Sequence, residues 1–86
     1  MMRNSRDFQI ALNEIFESNS QQGKPYVSVN SGFLHRELGG YPSRNHRMPV
    51  CCEVMRSNMK RGDGILEEPP SGQGANLTIR FKLPRE

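Results

Sequence analysis

The chain lacks tryptophan, and its two cysteines are immediate neighbours, Cys51 and Cys52. Adjacent cysteines cannot staple distant segments, because a disulfide between them closes only a strained ring. A secreted disulfide scaffold is therefore excluded, and reduced thiols with a cytoplasmic location are expected. Long apolar runs are missing too. Nothing approaches the roughly 20 residues that span a bilayer, and MMRNSRDFQIALNEIF has no uninterrupted apolar stretch of the kind a signal peptide needs. With 86 residues there is no room for a second domain, so residues 1–86 are expected to form one domain around a small core. A composition of 34% hydrophobic and 24% charged residues, with clear periodicity, marks a folded chain rather than a disordered one.

Apolar spacing divides the chain. Phe8, Ala11, Leu12, Ile15 and Phe16 fall on one helical stripe, with Asn4 or Ser5 as cap and Gly23 and Pro25 as terminators. YVSVN alternates as a short strand, Val27 and Val29 to one side and Tyr26 and Ser28 to the other. A brief second helix follows, capped by Asn30 or Ser31, burying Phe33, Leu34 and Leu38, and stopped by Gly39 and Gly40. A third begins near Pro49, whose ring suits the first helical position, and runs to about Lys60. Its core stripe is Val50, Cys51, Val54, Met55 and Met59, which leaves Cys52 to approach solvent. Leu77, Ile79, Phe81 and Leu83 alternate with Thr78, Arg80 and Lys82, the period of a half-buried strand. ILEE is its partner, and PPSGQGA between them predicts an exposed loop. Helix, strand, helix, helix and hairpin is the order of an α+β winged helix-turn-helix, three helices plus a C-terminal β-hairpin wing.

Catalytic and metal chemistry find little support. His35, His46, Cys51 and Cys52 match no paired spacing that converges on one ion, and adjacent helical cysteines point about 100° apart, so neither metal nor cofactor is expected. Cys52 near a helix start, with His46 close in sequence, is the best nucleophile, but no third group orients the pair and no enzymatic activity is expected. Glu67 and Glu68 point to opposite faces of a strand and cannot share a substrate; they blunt an edge or pair with Arg80 or Lys82.

Charge is the stronger signal. Between residues 44 and 61 five cations, Arg44, Arg47, Arg56, Lys60 and Arg61, face Glu53 alone, a local balance of +4 against +3 for the whole chain. Such a run is either a solvated helix face or a patch for an anionic partner. Read as a patch, Arg56 and Lys60 lie on the exposed side of helix three with Arg61 following. Arg44, Asn45, His46 and Arg47 precede that helix, where recognition helices present base-reading groups. Arg36 reaches a backbone phosphate or pairs locally. Ser71 and Gln73 are either wing contacts to DNA or part of a plain hairpin turn.

LHRELGGYPSRNHRMPVCCEVM, together with PPSGQGANLTIRFKLPR, resembles a group of small bacterial and phage winged-helix-like proteins and modules, similar segments of which are attached to HNH-type nucleases of restriction-like systems. The resemblance covers about residues 26–85. It implies a prokaryotic or phage source and a DNA-associated role. This chain has no HNH histidine cluster of its own, so no cleavage activity is implied. The expectation is a module that binds double-stranded DNA, the alternative a domain that docks an acidic protein through the same basic face.

Overall fold

A computed structural model describes residues 5–37, 48–70 and 72–85. The elements run α1 (Ser5–Gln21), β1 (Tyr26–Asn30), α2 (Ser31–Glu37), α3 (Met48–Ser57), β2 (Gly64–Glu67) and β3 (Thr78–Lys82). Three helices and a three-stranded antiparallel sheet of order β1-β3-β2 make a small α+β domain. None of the described helices is long and apolar enough to cross a membrane.

α1 buries Phe8, Leu12 and Phe16 as its spacing predicts. It stops at Gly23, whose φ of 77° is left-handed. Gly23 N–H donates to the Ser20 carbonyl at 2.9 Å and Lys24 N–H to the Asn19 carbonyl at 3.2 Å, the paired bonds of a glycine-terminated helix. β1 then pairs with β3, Val27 opposite Phe81 and Val29 opposite Ile79. The expected two-stranded hairpin is thus enlarged to three strands. Both sides of β3 carry backbone hydrogen-bonding groups, and β1 satisfies the side that β2 leaves open.

Asn30 caps α2 through its side-chain oxygen, which accepts Phe33 N–H at 3.0 Å. Ser31 N–H donates to Leu77 O at 2.8 Å and Gly32 N–H to Ala75 O at 3.1 Å, so the start of α2 is sewn to the chain that enters β3. A Cβ at Gly32 would lie 3.0 Å from both Ala75 Cβ and Ala75 O, which is why glycine is required there. Phe33, expected in the core, is instead 51% exposed, because α2 turns Leu34 and His35 inward. Leu38, Gly39 and Gly40 lie outside the described residues.

α3 ends at Ser57, one turn short of expectation. Asn58 bends its side chain back to Val54 O at 2.8 Å and exchanges two amide hydrogen bonds with Gln9 of α1, at 2.7 and 3.0 Å. The core gathers Phe8, Leu12 and Phe16 of α1 over Val29, Leu77, Ile79, Phe81 and Leu83 of the sheet region, with Leu34, Cys51, Val54 and Met55 closing it. Phe16 meets Phe81 edge-on at 4.9 Å between centroids, and His35 packs against Phe8 at 5.3 Å.

One polar junction ties the end of the chain to this core. The Asp63 side chain is fully buried and accepts Lys60 N–H at 2.8 Å, Lys82 N–H at 2.7 Å and an Arg85 guanidinium N–H at 2.9 Å. Arg85 also donates to Lys82 O and Asn58 O and lies over the rings of Phe16 and Phe81, 4.9 and 5.2 Å from their centroids. Burial pushes the Asp63 carboxyl upward. The Arg85 hydrogen bond, the Lys82 and Lys60 amides and the Arg85 charge together outweigh it and hold the group below its ordinary 3.8. A folded value below the unfolded one means that the stabilisation is complete above the unfolded-state value and is lost as pH falls through the folded value. Arg85→Ala leaves that carboxylate buried and is expected to cost about 3 kcal/mol in urea unfolding at pH 7. Asp63→Asn is expected to flatten the acid limb of the stability profile below about pH 4. A cost below about 0.5 kcal/mol for Arg85→Ala would mean that the junction is ornamental.

Candidate nucleic-acid interface

The face of α3 that the sequence offers to DNA is largely occupied by the chain itself. The loop between β2 and β3, expected to protrude, folds back on the helix: Pro69 is buried, and the loop's backbone is gripped by α3 side chains. Cys52 Sγ donates to Gly74 O and accepts Gly74 N–H, both at 3.4 Å, and is fully buried rather than near solvent. One turn on, Arg56 donates to Gly72 O at 2.7 Å and to the Glu68 carboxylate at 3.1 Å. Glu68 therefore pairs with α3 and not with Arg80 or Lys82 across the hairpin. Cys52 and Arg56 sit one helical turn apart, so the loop lies along a single ridge of α3. What α3 still shows to solvent is Pro49, Glu53 and Ser57, a ridge with no cation.

Cys51 faces the other way, its Sγ 3.6 Å from the Ser31 carbonyl. Burial, and then its neighbour Cys52, push the Cys51 thiol up to about 12, which removes it as a nucleophile at neutral pH. Among the described residues no three His, Cys, Asp or Glu side chains are grouped to hold a metal ion.

The remaining candidate residues separate. Arg44, Asn45, His46, Arg47 and Ser71 lie outside the described residues. Arg36 is exposed in the last turn of α2, and Gln73 is exposed on the folded-back loop. Lys60 and Arg61 are exposed on the turn between α3 and β2, and they are the pair that the fold brings into company. With Lys82, Pro84 and Arg85 they line an open cleft of about 250 Å³ at the base of the hairpin. Arg80 continues this surface on the outer face of β3, its guanidinium 4.5 Å above the Tyr26 ring. Four cationic residues thus line one opening beside the buried Asp63 carboxylate, which Arg85 neutralises.

Arg80, Lys82 and Arg85 were not among the candidates from the sequence. The strand alternation already put Arg80 and Lys82 on the solvent face, but only the closed sheet places them beside the turn that carries Lys60 and Arg61. No protein-family model, curated protein or solved structure matches this chain.

Two outcomes test the arrangement. With both thiols buried, neither is expected to react with a thiol-specific chromogenic disulfide in the native chain, and both in denaturant; one fast native thiol would contradict the packing of Cys52 under the loop. Arg56→Ala is expected to lower stability by about 1 kcal/mol in urea unfolding. It should also open the loop around Gly72 to limited proteolysis, and unchanged proteolysis would contradict the grip.

Proposed function

We propose that this chain is a DNA-binding module of the winged helix-turn-helix kind, which holds duplex DNA chiefly through phosphate contacts made by the base of its hairpin. The observation that carries this reading is the convergence of Lys60, Arg61, Lys82 and Arg85 on one open cleft, with Arg80 on the same face of the sheet as Lys82 and the Asp63 carboxylate buried beneath it. A surface of one sign attracts a polyanion and steers its approach. The element order and the β1-β3-β2 sheet are compatible with a winged helix at the coarse level.

Within this reading α3 contributes less than its place in the order suggests. Its exposed ridge bears Glu53 and Ser57, which suit a base edge rather than a phosphate: a carboxylate accepts from cytosine, and a hydroxyl serves either role. Arg44, Asn45, His46 and Arg47 remain candidates from the sequence for contacts ahead of α3, and Arg36 and Gln73 for contacts at its flanks.

Counterion release gives the test. Anisotropy titrations of the whole chain with a labelled duplex between 50 and 200 mM salt are expected to show affinity falling steeply with salt. Each phosphate-contacting cation removed should reduce the slope by about one. The triple variant Lys60→Ala, Arg61→Ala, Lys82→Ala should therefore lose about two to three units of slope. Unchanged affinity and slope would overturn the reading. Capture of an acidic protein by the same cations, without duplex binding, would give the surface to a protein partner instead.

A further inference from the structure

The cleft at the hairpin base is organised more tightly than diffuse attraction to a polyanion requires. Residues 60–63 form a turn closed in both directions: Asp63 N–H donates to Lys60 O at 3.0 Å, and the Asp63 carboxylate takes Lys60 N–H in return. Gly62 sits in that turn at a φ of 97°, which an L side chain rarely adopts. A Cβ there would also come within 3.0 Å of Lys82 Cδ, so the Lys82 stem lies directly on the glycine. The carboxylate that closes the turn also holds the backbone of Lys82 and the guanidinium of Arg85. One buried group thus sets the positions of all four cation-bearing residues. Arg85, only 15% exposed, is locked by its bonds to Asp63, Lys82 O and Asn58 O.

Lys60, Arg61 and Lys82 are exposed and bring like charges to the rim of one opening, and the Arg85 charge in its wall is already balanced by Asp63. An anion in the opening is attracted by these charges, and because the backbone that carries them is fixed, the ordering cost is confined to the exposed side chains. The anion with oxygens enough for several ammonium and guanidinium donors at once is phosphate. We infer that this cleft is a discrete phosphate seat, built from Lys60, Arg61 and Lys82 and walled by Arg85, which takes the non-bridging oxygens of one phosphate group. The seat deepens the DNA-binding reading, on which it rests only for the source of the phosphate. A free phosphate monoester offers the same chemistry.

The test uses the isotopically labelled full chain and two probes. Inorganic phosphate is titrated against chloride at matched ionic strength while the amides of residues 60–64, 82 and 85 are followed by NMR, and a labelled duplex is titrated separately. Phosphate is expected to give saturable shifts confined to those amides, where chloride gives none. The variant Arg61→Gln, Lys82→Gln, which alters only exposed side chains, should keep a dispersed spectrum and bind phosphate at least about tenfold more weakly. Gly62→Ala, which displaces Lys82, should weaken phosphate binding with both cations present. Shifts that are linear and equal for phosphate and chloride would overturn the seat, even where salt-sensitive duplex binding shows that the DNA reading stands. Saturable phosphate binding without any duplex binding would confirm the seat, assign it to a small phosphorylated ligand and remove the DNA reading.

Discussion

The Asp63 carboxylate is the constraint on which most of this molecule depends. A chain of this size has one core and few ways to hold its ends against it. Here a single buried charge closes the turn after α3, fixes the start of the last backbone step out of β3, and anchors Arg85 across Phe16 and Phe81. Burying an ion pair is expensive, and its Coulombic gain alone seldom repays the desolvation. The two backbone amides that join Arg85 make the difference, because they satisfy the oxygens that would otherwise be stranded. The arrangement specifies geometry as much as it adds stability: it makes the turn after α3, the end of β3 and the tail one object.

The same carboxylate gives the surface its character. It draws Arg85 inward, while Lys60, Arg61, Arg80 and Lys82 stay exposed on the turn and on β3. The acids of the hairpin, Glu67 and Glu68, sit at the far end of β2, where Glu68 is taken up by Arg56. The hairpin therefore carries its cations at its base and its acids toward its loop. In the function proposed above, a phosphate-rich partner approaches the basic end.

Much of the fold could be read from periodicity. The stripe Phe8, Leu12, Phe16 and the alternation Leu77, Ile79, Phe81, Leu83 carry their burial in their spacing, and Gly23 and Asn30 mark helix ends by conformation and by cap. What spacing could not show was anything set by contact between distant segments. Cys52 falls off the α3 core stripe and is buried, with the loop backbone at Gly74 folded onto its thiol. Phe33 falls on the apolar pattern of α2 and is exposed, because the helix is rotated so that Leu34 and His35 face the core. Arg56 looked like a free cation on an outward ridge, and its partners, Gly72 O and Glu68, come from a loop expected to stand clear. The candidate site shows the same division: Lys60 and Arg61 were visible as a local run of charge, while Lys82 and Arg85 join them through pairing of β3 and through the Asp63 junction.

The central claim is that anionic partners meet this domain at the hairpin base and not along the exposed ridge of α3. Mapping amide shifts of the whole chain on a duplex addresses it most directly. The account predicts the largest changes at residues 60–64 and 80–85, with residues 49, 53 and 57 shifting less. Changes confined to those α3 residues, with the base silent, would contradict it.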